Sequence, residues 1–320
     1  MLRLTTAASA LALLAVSPAH AQAAPAATPA TASGYVRPAP PGRLVDVGGG
    51  RRLHVLCEGA GPGPTVIIEA GLSQYVASST YGLLQDAIAP FAPVCLYDRA
   101  GMGWSDPAPT GWTIEGMTRD LHALRKAAGL QGPVVLVGHS FGGLLARAYA
   151  RAYPGEVAGM VLADATSDAN LAEMDAAAAA IVPQLDQALS SSRPGVPVVG
   201  MPAGTAPEVS MAFTPEVLRG LKAEFEAWTR LPESMRRPGA WGTLGDLPLI
   251  VIRRGKASNP PTEQDLKHRA GQEALATLST DSLLIVAANS AHVIPLDEPQ
   301  VVADAVKRML EALKARRRLS

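Results

Sequence analysis

The chain has 320 residues, 48% of them hydrophobic, enough to bury one large domain carrying an insertion or two modest domains. Its 28 Lys and Arg balance its 28 Asp and Glu, and only 4% of its residues are aromatic. Nothing in this balance suggests the basic face that nucleic acid requires, and the low aromatic content argues against a base-stacking surface, so no nucleic-acid partner is expected.

The first residues read as an export signal. Met1-Leu2-Arg3 gives a short positive start, Ala7 to Val16 an apolar run, and Ala19-His20-Ala21 the small residues that a signal peptidase reads. The apolar run is too short to span a bilayer, and no later segment offers 18 uninterrupted apolar residues. The expectation is a signal peptide over 1–21, no stable membrane span, and a periplasmic or secreted protein. Residues 22–42, rich in Ala, Pro, Thr and Ser, are expected to form a flexible leader.

Order is expected from Gly42. Arg43–Val47 and Arg52–Glu58 read as two strands joined through Gly48, Gly49 and Gly50, followed by short apolar strands at Thr65–Glu69 and Val94–Tyr97. Ile114, Met117, Leu121 and Leu124 share one face of a helix over Ile114–Ala128. Val134–Val137 is an apolar strand of the buried, parallel type. A helix over Leu144–Ala152 stops at Tyr153-Pro154-Gly155, and Val157–Leu162 is the next buried strand. Residues 167–240 hold Ala-rich and Glu/Lys-bearing helical stretches broken by Pro and Gly. Leu247–Ile252 and Ser282–Val286 return to strand, and Val301–Leu313 is an amphipathic closing helix. Strands alternating with helices predict an α/β fold, with a mostly parallel sheet covered on both faces. Its core would span 43–166 and 241–320, with 167–240 inserted as a helical cap.

The segment Val134-Val135-Leu136-Val137-Gly138-His139-Ser140-Phe141-Gly142-Gly143 places G-x-S-x-G directly after an apolar strand and before a helix. A nucleophile elbow needs this context. The turn is tight, so small residues are required two positions either side of Ser140; Gly138 and Gly142 supply them and Gly143 adds room. The Ser140 hydroxyl is lifted from the sheet edge. The Phe141 N–H falls at a helix start, where it would stabilise a developing oxyanion.

On these residues the chain resembles the α/β-hydrolase family over nearly all of 43–315. Ile68-Glu69-Ala70-Gly71-Leu72 is similar to the family's oxyanion loop, which implies the Leu72 N–H as second donor; Ala70 stands where many members have His. Tyr97-Asp98-Arg99-Ala100-Gly101-Met102-Gly103-Trp104-Ser105 resembles its D-x-R-G-x-G-x-S turn, in which Asp98, Arg99 and Ser105 are expected to brace the backbone.

The family's chain order is Ser, acid, His. His292 fits the base, just past the strand Ser282–Val286; Ala291 replaces the usual preceding Gly. His20 belongs to the signal, His54 to an early strand, His122 to the first helix, His139 to the elbow, and His268 to an exposed, charged stretch. The common position of the acid, after Leu247–Ile252, holds Arg253-Arg254-Gly255-Lys256-Ala257-Ser258. A family variant carries the acid one strand earlier, where Asp164 ends Val161-Leu162-Ala163. Asp164 is therefore the expected acid, with Asp168, Glu263 and Asp265 as alternatives.

The family's sheet order makes the second and fourth strands neighbours, which implies a Cys57–Cys95 disulfide in an oxidising compartment. Neither cysteine belongs to a close Cys/His cluster, and no nucleotide or flavin motif is present, so no metal or cofactor is expected. The resemblance implies a serine hydrolase acting on a small-molecule ester or related acyl substrate. The alternatives are an aminopeptidase- or amidase-like hydrolase and a non-catalytic binding protein of the same fold. Oligomeric state is left open.

Overall fold

A computed structural model describes residues 35–75, 79–198 and 205–319. The expected signal peptide and residues 22–34 of the leader lie outside them. Eight strands, β1 (Arg43–Gly48), β2 (Arg51–Glu58), β3 (Val66–Glu69), β4 (Val94–Tyr97), β5 (Val134–His139), β6 (Val157–Ala163), β7 (Leu249–Arg254) and β8 (Ser282–Ala287), form one sheet in the order β1-β2-β4-β3-β5-β6-β7-β8. β1 pairs antiparallel with β2 and β2 with β4; every later pairing is parallel.

The helices are α1 (Ser79–Ile88), α2 (Ile114–Ala128), α3 (Phe141–Ala152), α4 (Leu171–Ser190), α5 (Pro207–Met211), α6 (Pro215–Thr229), α7 (Glu263–Ala276), α8 (Ile294–Asp297) and α9 (Pro299–Ala315). Successive strand residues point to opposite faces, so β5 divides its side chains. Val134 and Leu136 pack with α2, α3 and much of α4 and α6, while Val135 and Val137 pack with α1 and α9. Because both faces are covered, β3, β4 and β5 are buried along their whole length, the reason their sequences are apolar runs rather than alternations. Among the described residues, no helix is long and apolar enough to cross a membrane.

Local chemistry accounts for the helix ends. Thr113 caps α2 by accepting from the Gly116 N–H, and Gly129 closes it at φ 76°. Several helices differ from the sequence expectation. α1, α7 and α8 have no counterpart in it. α3 starts at Phe141 rather than Leu144, because Gly142 and Gly143 form its first turn instead of a loop. Residues 35–42 of the expected leader form no helix or strand, but they lie against the core: Arg37 donates to the Gly103 carbonyl and Trp104 Nε1 donates to the Pro38 carbonyl at 2.8 Å.

Cys57 and Cys95 stand directly opposite each other on β2 and β4, with Cα atoms 4.1 Å apart, and they are bridged. The bond closes a loop of sequence separation 38, which on the chain-entropy model stabilises the fold by roughly 3–4 kcal/mol. Alkylation of denatured, unreduced protein should therefore leave its mass unchanged, and two alkyl groups should add after reduction. Replacing both cysteines with Ser should lower the unfolding free energy by about that amount.

The end of α2 is tied to the turn after α3 through Glu156. Arg125, Tyr149 and His122 all bond its carboxylate, and Lys126 Nζ lies 3.4 Å away. Burial alone would raise the Glu156 pKa. The hydrogen bonds of Tyr149 and His122 and the Arg125 charge outweigh it and hold the pKa at about 2. A depressed carboxyl contributes stability above its unfolded pKa and loses it as pH falls through the folded value. Glu156→Gln should lower Tm at pH 7 by roughly 2–4 °C, and the gap should close as pH falls from 4.5 towards 2. Thermal melts of both proteins across that range check this.

Candidate active site

The site forms where the parallel strands end. In the β5–β6 register His139 pairs with Ala163, so Ser140 and Asp164 emerge side by side at the same sheet edge. The Ser140 N–H donates to the Ala163 carbonyl at 3.2 Å, and the Asp164 N–H to Ile252 of β7 at 2.7 Å. Both residues hold positive φ, 53° for Ser140 and 43° for Asp164, a conformation non-glycine residues rarely adopt away from functional turns. The three elbow glycines are required by close approach: a Cβ on Gly142 would sit 2.0 Å from the Glu69 carbonyl oxygen, one on Gly138 2.6 Å from the Gly143 Cα, and one on Gly143 2.3 Å from the Ala165 Cβ.

His292 lies between β8 and α8, in a loop held from below. Glu298 accepts from the Asn289 N–H and the Ser290 hydroxyl, and Asp297 from the Ala291 N–H. Its Nε2 is 3.0 Å from Ser140 Oγ and its Nδ1 is 2.7 Å from Asp164 Oδ2. The imidazole remains 37% exposed while the Asp164 side chain is fully buried, so the hydroxyl end faces solvent and the carboxylate end does not.

Asp164 accepts four hydrogen bonds: Oδ2 from His292 Nδ1 and Arg254 Nη1 (2.9 Å), and Oδ1 from His268 Nε2 (2.7 Å) and the Arg254 N–H (3.1 Å). That fills the lone-pair positions of a carboxylate. Burial would raise its pKa; the bonds from His268 and His292 dominate and hold the carboxyl well below the usual range. The alternatives lie elsewhere. Asp168 pairs with Arg147 and accepts from the Gly239 N–H, Asp265 is the capping-box residue of α7 with Thr262, and Glu263 begins that helix.

His268 corrects the sequence reading, which left it in an exposed stretch. It is buried on α7, whose inner face carries His268, Gly271, Gln272 and Leu275. A Cβ on Gly271 would lie 2.3 Å from Ser167 Oγ, so α7 approaches closely enough for His268 to reach Asp164. The helical spacing of these four residues was the available signal. Arg254, which the sequence places in the basic run after β7, is the other partner of Asp164.

The elbow histidine also has a defined place. Burial, then the neighbouring His292, lowers the His139 pKa to about 3, so the ring is neutral, donating from one nitrogen and accepting at the other. Nε2 donates to the His292 carbonyl at 2.8 Å, which leaves Nδ1 to accept from Tyr81 Oη at 2.8 Å. Tyr81 Oη in turn accepts from the Gly71 N–H at 2.7 Å. One chain of bonds thus joins the His292 loop to the segment 69–73.

That segment follows β3 and carries Leu72, while Phe141 opens α3, where the first N–H groups lack intrahelical partners. Asp98 accepts from His54 and from the Trp104 N–H, and its carbonyl accepts from Ser105 Oγ, so Asp98 and Ser105 brace the 97–105 turn. Arg99 leaves the turn and points to the 69–73 segment, where it donates to the Ala70 (2.7 Å) and Gly71 (2.6 Å) carbonyls and pairs with Glu224 of α6 (2.6 Å). Glu69 shares this buried cluster with Tyr97 and Arg99, and burial pushes its pKa up to about 7 against their opposing pull.

A family model for the alpha/beta hydrolase fold matches residues 64–193, the stretch holding the 69–73 segment, the elbow and Asp164. The chain has the α/β-hydrolase fold. It is 27% identical to the uncharacterized protein YqjL of Bacillus subtilis over 255 residues, 79% of this chain and 86% of that one. It is 35% identical to the proline iminopeptidase of Heyndrickxia coagulans over 136 residues, 41% of this chain but 46% of that enzyme. Among solved structures, the thermophilic esterase of Thermogutta terrifontis superposes with TM-score 0.58 at 20% identity, over 85% of this chain and 98% of that one, a likeness of fold.

Proposed function

We propose that this α/β-hydrolase is a serine hydrolase that cleaves an ester or related acyl bond through an acyl-Ser140 intermediate. The observation that carries the reading is the continuous line Ser140 Oγ–His292 Nε2–His292 Nδ1–Asp164 Oδ2, at 3.0 and 2.7 Å, with the hydroxyl at the exposed end. His292 takes the Ser140 proton as Oγ attacks the substrate carbonyl, then returns it to the leaving group; water repeats the sequence to release the acid. Asp164 keeps the imidazole in the Nδ1–H tautomer and stabilises its charged form. The Leu72 and Phe141 N–H groups hold the oxyanion.

Helices α4 to α6, between β6 and β7, act as the cap that shapes the acyl-binding space. An aminopeptidase-like reading would need a cap carboxylate free to hold a substrate amine. Glu224, the buried cap carboxylate nearest the 69–73 segment, has both oxygens engaged, Oε1 by Arg99 and Oε2 by the Ser73 N–H. That favours esters or lactones over amino-terminal residues. The Cys57–Cys95 bond supports export to the periplasm or beyond.

Reaction of the mature protein with a fluorophosphonate, followed by peptide mass spectrometry, tests the proposal. The expected result is a single adduct on Ser140, together with turnover of short-chain p-nitrophenyl esters exceeding that of proline p-nitroanilide. Absence of labelling would point to a binding protein of the same fold.

A further inference from the structure

The 69–73 segment is gripped from two directions. Arg99 Nη2 donates to the Gly71 carbonyl and Nη1 to the Ala70 carbonyl. The peptide between Gly71 and Leu72 is planar and trans, so the Leu72 N–H points opposite to the Gly71 C=O. Holding that carbonyl on a buried guanidinium therefore sets the direction of the Leu72 N–H. On its other side, the Ser73 N–H donates to Glu224 Oε2 at 2.9 Å, with Ser73 at φ 60° and its hydroxyl on the Leu72 carbonyl. The Gly71 carbonyl, the Leu72 carbonyl and the Ser73 N–H, which flank the Leu72 N–H, are thus fixed by Arg99, the Ser73 hydroxyl and Glu224 respectively.

Glu224 belongs to α6, outside the core sheet, and its side chain is wholly buried. One turn earlier, Gly220 meets Gly101 of the 97–105 turn backbone to backbone. A Cβ on Gly220 would stand 2.2 Å from the Gly101 carbonyl oxygen, and one on Gly101 2.8 Å from the Gly220 Cα. Residues 220 and 224 lie on the same helix face. The depth at which α6 seats on Gly101 therefore sets where the Glu224 carboxylate stands.

We propose that Arg99 is the positioning residue of the oxyanion hole and that Glu224 makes the hole's geometry depend on the docking of α6. The coupling rests on the reading of Leu72 N–H as an oxyanion donor. When α6 is seated, Glu224 fixes Arg99 through Nε and holds the Ser73 N–H, and the Leu72 N–H is aimed. When α6 shifts, both grips loosen together. A contact of the cap with substrate is thereby conveyed to the group that stabilises the transition state.

The test is steady-state kinetics on p-nitrophenyl acetate with full-length mature protein, after loss of turnover in Ser140→Ala has established that the measured activity is that of this site. Glu224→Gln keeps the shape but replaces one acceptor oxygen with an amide donor, so one of the two grips must fail. Arg99→Lys keeps the charge but loses the fork that holds two carbonyls. An oxyanion donor acts in the transition state, so its misplacement lowers kcat and leaves KM nearly unchanged. Both variants are expected to lose roughly 10–100-fold in kcat per folded molecule, with KM within about twofold, somewhat less than removal of a whole donor costs. Inhibition by a boronic acid, whose tetrahedral adduct occupies the hole, should weaken by the same factor. Inhibition by the product acid should be unchanged. Should Glu224→Gln not fold, Glu224→Asp, which retains the charge facing Arg99 but is too short to hold both partners, carries the same expectation. Folded variants with wild-type kcat would overturn the proposal and leave the pair a structural brace. A raised KM at unchanged kcat would also overturn it, by placing Glu224 against the substrate.

Discussion

Ser140→Ala is expected to abolish fluorophosphonate labelling and to lower kcat on p-nitrophenyl esters by about 10⁴–10⁶-fold, with the circular dichroism spectrum and Tm near those of the parent. The size follows from the way the site is built. On the proposed mechanism nucleophile, base and acid act as one unit, so loss of the hydroxyl would remove nearly all of what the three contribute, leaving the residual rate to the oxyanion donors and binding alone. The fold should survive because Ser140 makes its structural contacts through its backbone: the N–H donates to Ala163, and the carbonyl accepts from Gly143 and Thr166. Alanine at φ 53° keeps those bonds and carries the same Cβ strain. Hydrolysis near the parental rate in this variant would sink the covalent mechanism.

Asp164→Asn is the second large effect, an expected fall of about 10³–10⁴-fold in kcat. Asp164 accepts from two donors on each oxygen. An asparagine must turn its NH₂ group towards one of these pairs. Facing His292 and Arg254 Nη1, it forces the imidazole into the tautomer that cannot accept the Ser140 proton. Facing His268 and the Arg254 N–H, it spares the tautomer but still removes the charge that stabilises the imidazolium. Either way the base is weakened. Glu263→Gln/Asp265→Asn changes the carboxylates at the start of α7, which touch neither His292 nor Ser140. That double variant should keep kcat within about threefold while only weakening the capping box that Asp265 forms with Thr262. An active Asp164→Asn beside a dead double variant would assign the acid to the wrong strand.

The parts of this site that were legible in the chain share a local cause. Gly138, Gly142 and Gly143 around Ser140 mark a turn no other residues can make, and the apolar run before it marks a strand buried on both faces. Asp164 and His292 follow strands at the distances that α/β connections demand. The Cys57–Cys95 bond needed only the strand order that the resemblance supplied, and β2 and β4 place the two residues in register. Helix α1 escaped because its sequence, Ser-Thr-Tyr-Gly-Leu-Leu-Gln-Asp-Ala-Ile, contains glycine and polar residues that weaken a helical signal. Its burial beneath β4 and α9 outweighs that local preference.

The sequence by itself determines the alternation of strands and helices and the elbow, because each depends on periodicity or turn chemistry within a few residues; the order Ser140, Asp164, His292 comes from the family resemblance, with Asp168, Glu263 and Asp265 left as alternative acids. Which groups surround that line is a matter of tertiary structure alone. His268 reaches Asp164 across 104 residues, Arg99 reaches Glu224 across 125, and His139 reaches the His292 carbonyl across 153. Apart from the helical spacing that puts His268 on the inner face of α7, no local pattern distinguishes these histidines, arginines and carboxylates from surface charges. Their partners are chosen by strand order, by the glycine contacts that let α6 and α7 approach closely, and by the cost of leaving a buried charge unpaired.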